Sequence, residues 1–127
     1  ETIDAMNLIG CPVLFMGIPD KSLTEEVLRQ RLHGLDPERI YIPAIQGGNA
    51  HHDLIGKVCK DIFGNACEQY TTYTKTELYT TGGWEVVPTL PEMELKNKML
   101  DCYKSQINLP STAPHFEAVR NRSEWLT

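Results

Sequence analysis

Short apolar runs alternate along this chain with stretches whose apolar residues return every third or fourth position, the pattern of strands interleaved with helices. Residues 1 to 9 read as the end of a helix and Val13 to Met16 as a strand. Ser22-Leu23-Thr24-Glu25 has the form of a capping box, opening a helix with Leu23, Val27, Leu28 and Leu32 along one stripe and Gly34 at its close. Ile40 to Pro43 reads as a buried strand, after which Leu54, Ile55, Val58, Cys59, Ile62 and Phe63 recur at helical spacing until Gly64 supplies a stop. Glu68 to Tyr73, rich in Thr and Tyr, and Trp84 to Val87 are further strands, joined by a loop or hairpin turn over Thr74 to Gly83. Pro88 and Pro91 bracket the entry to a late helix on which Leu95, Met99 and Cys102 share a face. The tail is loop-like from Ile107 through Pro110 and Pro114 and ends in a short helix from Phe116 to Leu126. This alternation predicts an α/β fold, a mostly parallel sheet flanked by helices.

Candidate chemistry concentrates at one handover from strand to helix. Gln46-Gly47-Gly48-Asn49-Ala50-His51-His52-Asp53 sets two glycines, an amide and paired imidazoles between the strand at Ile40 to Pro43 and the helix beginning near Leu54. Open α/β sheets bind ligands at that carboxyl edge, and neutral imidazole is a common metal ligand. Two adjacent histidines have no ligand spacing of their own, so solvated histidines at a surface helix start are the competing reading.

At 127 residues the chain fits one globular unit, a single domain over residues 1–127, and no segment is long and apolar enough to span a membrane. The net charge of -5, without clustered Lys and Arg, argues against a nucleic-acid partner. Cys11, Cys59, Cys67 and Cys102 form no Cys-x-x-Cys pair, and three of them lie in apolar runs. Buried thiols in a reducing cytoplasm are therefore expected rather than a disulfide frame. No Gly-x-Gly-x-x-Gly is present, which disfavours a nicotinamide enzyme, and no phosphate loop supports a nucleotide-binding domain.

Four segments, in order, resemble the carboxyl-terminal two thirds of the LmbE-like family, the N-acetylglucosaminyl-phosphatidylinositol de-N-acetylase relatives. Glu1 to Gly10 is similar to the family's helix ending in a Leu-Gly step, and Val13 to Asp20 to its following strand and Gly-x-Pro-Asp turn. Gly48-Asn49-Ala50-His51-His52 falls where the family carries Gly-His-Pro-Asp-His, and Glu94 to Gln106 is similar to its late helix closing on Ser-Gln. The family's first metal motif, His-Pro-Asp-Asp-Glu, has no counterpart in these residues. With Glu1 as first residue, a processed, proteolysed or split polypeptide is expected.

The resemblance implies a Rossmann-like fold, here lacking the family's amino-terminal strands, that uses its edge loops for zinc. It implies the carboxyl-terminal part of a zinc-dependent deacetylase acting on an N-acetylated amino sugar or glycoconjugate, with an amino-terminal fragment or partner subunit to complete it. His52 falls on the metal-ligand position, Asn49 on the first, catalytic histidine, His51 on the aspartate, and Asp20 on the substrate-side turn. Asparagine donates hydrogen bonds but cannot shuttle a proton. Either His51 takes over the acid role or turnover depends less on that group. The alternative is a non-catalytic fragment or decoy of the same fold that binds carbohydrate or protein, with Tyr70, Tyr73, Tyr79 and Trp84 as candidate sugar-stacking rings.

Overall fold

The computed structural model describes residues 1–127. In chain order the elements are α1 (Thr2–Asn7), α2 (Glu25–Leu32), β1 (Ile40–Pro43), α3 (Ala50–Phe63), β2 (Cys67–Tyr70), β3 (Trp84–Val86), α4 (Leu90–Asp101), α5 (Lys104–Ile107), α6 (Ala113–Val119) and β4 (Glu124–Leu126). They group into two compact units, Glu1–Phe15 with Val86–Glu124, and Met16–Glu85 with Trp125–Thr127. No helix is long and apolar enough to cross a membrane.

The second unit is built on a β-α-β step. β1 and β2 pair in parallel, Ile40 opposite Cys67 and Pro43 opposite Tyr70, and α3 connects them. Its predicted stripe faces inward. Val58 and Cys59 are buried against Ile42 of β1 and Leu28 and Leu32 of α2, with Leu54, Ile55, Ile62 and Phe63 packed around them. Helix and strand approach closely because Gly56 has no side chain: a β-carbon there would collide with the Pro43 carbonyl. Thr24 caps α2, its hydroxyl accepting from Val27 N at 3.3 Å, while Asp20–Ser22 forms a 3₁₀ turn. The expected Ser22 capping box is therefore replaced by a plain cap two residues on, since Val27, three residues after Thr24, has no side-chain acceptor to return the bond.

The sheet order is β1-β2-β4-β3, and here the expectation of a mostly parallel sheet is corrected. β4 runs antiparallel to β2, with Tyr70 opposite Leu126, Thr71 N donating to the Trp125 carbonyl at 2.9 Å and Thr127 N to that of Gln69 at 2.7 Å. The fold is mixed α/β with a mixed sheet. The same observation corrects the predicted helix over Phe116 to Leu126. α6 ends at Val119, Asn121 takes a left-handed φ of 58°, and the chain turns into a strand. Trp125 and Leu126 offer little to a helix that has lost its turn and fit a pleated partner well.

Val13 to Met16 does not form the expected strand. A strand needs a hydrogen-bonded neighbour, and this run, flanked by Pro12 and by Gly17 at φ 64°, has none; Leu14 is 87% exposed and Phe15 64%. β1 accordingly stands at an edge of the sheet.

In the first unit, the predicted late helix divides into α4 and the separate α5, which holds Ser105 and Gln106. Thr89 and Glu92 form a capping box that starts α4, the carboxylate accepting from Thr89 N at 2.7 Å, with Pro91 in the first turn. The Glu1 carboxylate accepts from both N and Oγ of Ser105 at 2.6 Å, which lowers its pKa. Asp101 and Arg120 pair at 2.8 Å.

Gly56→Ala tests the central packing. At an exposed helix position the change would stabilise by about 1 kcal/mol. Here the collision with the Pro43 carbonyl dominates, and a net loss of about 1–3 kcal/mol is expected in denaturant unfolding. A stabilised variant would show that α3 and β1 are not in close contact.

Candidate functional site

Pro43 ends β1 because it has no N–H to extend a ladder, yet the chains leaving β1 and β2 remain joined. Ala44 N donates to the Tyr70 carbonyl at 2.9 Å. Two residues on, Thr72 N donates to Gln46 Oε1 at 2.8 Å, so a side chain continues the strand pairing. The loop is also folded back onto its own helix. The Asp53 carboxylate accepts from Gln46 N at 2.9 Å and from Gly47 N at 3.0 and 3.1 Å. An acid in the first turn of α3 is favoured by the helix dipole as well.

Asn49 is the N-cap of α3. Its Oδ1 accepts from His51 N at 2.8 Å and His52 N at 3.4 Å, and its Nδ2 donates to Tyr73 Oη at 3.0 Å. This satisfies two of the backbone donors that a helix start leaves over. Asn49 is therefore a helix cap with both ends of its amide engaged.

The paired histidines diverge, as neighbours on a helix must, by about 100°. His51 is 43% exposed, with Nδ1 4.0 Å from a carboxylate oxygen of Asp20, itself 94% exposed on its 3₁₀ turn. At that separation and exposure the contact contributes little. His52 turns inward. Its ring meets the Tyr73 ring edge-on, centroids 5.5 Å apart and planes at 63°, and its Nδ1 is buried without a hydrogen-bond partner. Burial pushes its pKa down from the ordinary value, with Asp53 opposing the shift and His51 adding to it. The neutral ring is thereby favoured near neutral pH, with a lone pair free of a proton.

His52 also lines a groove of about 430 Å³ with Leu28, Leu32, Ile42, Ile55 and Cys59. The groove runs along all of β1, from Ile40 to Pro43, and reaches Tyr70. The start of α3 after Pro43 and the contact with Tyr73, beyond β2, put the imidazole towards the carboxyl end of the parallel pair. Asn49 and Asp20 do not line this groove. The structure thus brings His52 and Asn49 together at Tyr73, and His51 and Asp20 together on the exposed side.

A catalytic zinc takes three protein ligands. His52 offers one candidate donor, a buried nitrogen with no partner, and the chain brings no group of three or more His, Cys, Asp or Glu together in a metal-holding arrangement. These residues alone do not fit a catalytic zinc site. Burial also raises the pKa of Cys59 and Cys67, and all four cysteines are free thiols.

Three further residues shape the site: Gln46 and Asp53, at the two ends of the stretch that the sequence singles out, and Tyr73. Asp53 has a local signal, an acid in the first turn after Gly-Gly. Gln46 and Tyr73 act on residues 26 and 24 positions away in sequence, beyond the reach of periodicity. No family model, curated protein or solved structure matches the chain.

Two outcomes follow from this geometry. Asn49→Ala removes the cap and is expected to cost about 1 kcal/mol in thermal or denaturant unfolding, where Asn49→Ser should retain most of the stability. Because the folded pKa of His52 lies below that of the unfolded chain, the unfolded state takes up a proton first as pH falls. The contribution is fully present above the unfolded-state value, about 6.5, and is lost as pH drops through the folded one. Unfolding free energies measured from pH 7.5 to 5 should fall more steeply in the native chain than in His52→Gln; equal slopes would refute the burial of this ring.

Proposed function

We propose that the chain is the carboxyl-terminal part of a zinc-dependent deacetylase that removes acetyl from an N-acetylated amino sugar or a glycoconjugate carrying one. The observation that carries this reading is His52: a neutral imidazole with an unpartnered buried nitrogen, at the carboxyl end of a parallel strand pair and beside a groove. It combines with the resemblance of Gly48 to His52 to the family's metal-binding segment. On this reading β1, α3 and β2 belong to a Rossmann-like sheet, and an amino-terminal fragment or partner subunit brings the remaining ligands. The edge position of β1 supports such a partner, because one side of the strand is open to pairing. Four free cysteines suit a cytoplasmic setting.

Amide hydrolysis requires an activated water, a polarised carbonyl and an acid for the departing amine. In this chain His52 is the metal-ligand candidate. Asn49 cannot donate a proton catalytically, and its amide oxygen is occupied by the helix start. His51, exposed beside Asp20, is the group left to act as acid, with Asp20 on the substrate side.

The commitment of Asn49 to a structural cap favours a second reading, a non-catalytic module of the same fold that binds carbohydrate or protein. Metal analysis and deacetylation of N-acetylglucosamine derivatives separate the two. The chain alone is expected to retain no stoichiometric zinc and to show no turnover. Reconstituted with a polypeptide carrying His-x-Asp-Asp, it should bind zinc and release acetate, and His52→Ala should remove most of the metal. Zinc content unchanged in that variant would sink the ligand assignment; sugar binding without acetate release would establish the second reading.

A further inference from the structure

Tyr73 lies in the loop after β2, where the sequence offers it only as one of four candidate sugar-stacking rings, yet it touches both Asn49 and His52. Its hydroxyl oxygen accepts from Asn49 Nδ2 at 3.0 Å and its ring meets His52 edge-on at 5.5 Å. We infer that Tyr73 is a positioning residue: its hydroxyl locks the Asn49 amide in the orientation that caps α3, and its ring holds the plane of His52, so that both side chains are fixed before any ligand arrives.

The Asn49 amide has only one workable orientation. With Oδ1 on the N–H groups of His51 and His52, its Nδ2 faces Tyr73 Oη. A flipped amide would set its NH₂ against backbone donors and turn its oxygen towards the phenol. Only the unflipped form satisfies the two helix N–H groups, and the phenol oxygen reinforces it.

Tyr73 is itself held at close quarters. Thr72 N is fixed by Gln46 Oε1 at 2.8 Å, and Thr71, on the other side, donates its N–H to the Trp125 carbonyl and its hydroxyl to that of Thr80 at 2.8 Å. Gly48 lets the loop lie directly on the Tyr73 backbone, since a β-carbon at residue 48 would collide with the Tyr73 carbonyl. The phenol is delivered to Asn49 by backbone and side-chain bonds that involve neither of its targets. A ring that only filled space would not need its hydroxyl. The bond to Asn49 is what separates positioning from packing.

The role deepens the deacetylase reading and rests on it for what the site acts upon, but the geometry is tested on the side chains themselves. In the full chain, Tyr73→Phe keeps the ring against His52 and removes the acceptor. The expected result is hydrogen exchange of the Asn49 side-chain amide about fivefold faster, with the His52 ring signals little changed. Tyr73→Leu should in addition give conformationally averaged His52 side-chain couplings by NMR. Asn49→Ser retains a cap but is too short to reach the phenol, so adding Tyr73→Phe to it should not change the backbone exchange of His51 and His52 further. Unchanged Asn49 exchange in Tyr73→Phe, a fixed His52 rotamer in Tyr73→Leu, or strictly additive effects in the double variant would each overturn the inference. Should Tyr73→Leu not fold, Tyr73→Phe and the double variant still decide it. These measurements read no turnover, so the loss of the deacetylase reading and the loss of the positioning role are separate results.

Discussion

The parallel pairing of β1 with β2 is continued beyond Pro43 by one backbone bond and then by side chains, and the rest of the site hangs on that continuation. Ala44 with Tyr70, Gln46 with Thr72, and Asn49 with Tyr73 form successive rungs between two chains that would otherwise splay. Each neutral rung contributes about 0.5–1.5 kcal/mol net. The Asp53 carboxylate, receiving the N–H groups of Gln46 and Gly47, is the strongest single tie, because bonds to a charged acceptor run to about 1.5–3 kcal/mol. It bends the loop back so that Asn49 arrives at the helix start in register.

Burial of His52 works against stability, and the fold tolerates it. His52 is half-buried, and at its Nδ1 no hydrogen bond offsets the desolvation, although its ring meets that of Tyr73. Natural folds keep few such atoms, and mostly where the atom is wanted for something else. Its neighbour His51 has the same chemistry and none of that cost, since it faces water. The contrast within one dipeptide is what singles out His52 as a donor in waiting.

The apolar patterns of α2 and α3 were fully legible: the stripes that include Leu28, Leu32, Val58 and Cys59 became the core of their unit. β1 was legible too, because a short apolar run closed by proline leaves little choice. Val13 to Met16 has an equally apolar pattern and is no strand, since a strand is a property of two segments and periodicity reads only one. β4 escapes the helical pattern of its own segment for the same reason in reverse; Glu124 to Leu126 becomes a strand only because Gln69 to Thr71 is there to receive it. At the site, residue types locate Asn49, His51 and His52, whereas the contacts that Asn49 and His52 make with Tyr73 are encoded by no local pattern.

The chain leaves the sheet-bearing unit at Glu85 and returns to it at Trp125, and the interval has a kinetic meaning. β1, α3 and β2 follow one another with short connections, so their contacts close small loops at modest entropic cost and are suited to forming first. β4 must wait for a loop that contains another compact unit. Thr71, between Tyr70 and the segment bearing Tyr73, takes its backbone partner from Trp125. Loop closure alone thus favours early assembly of the side of the site held by α3, with the side held through Tyr73 completed when the last strand docks.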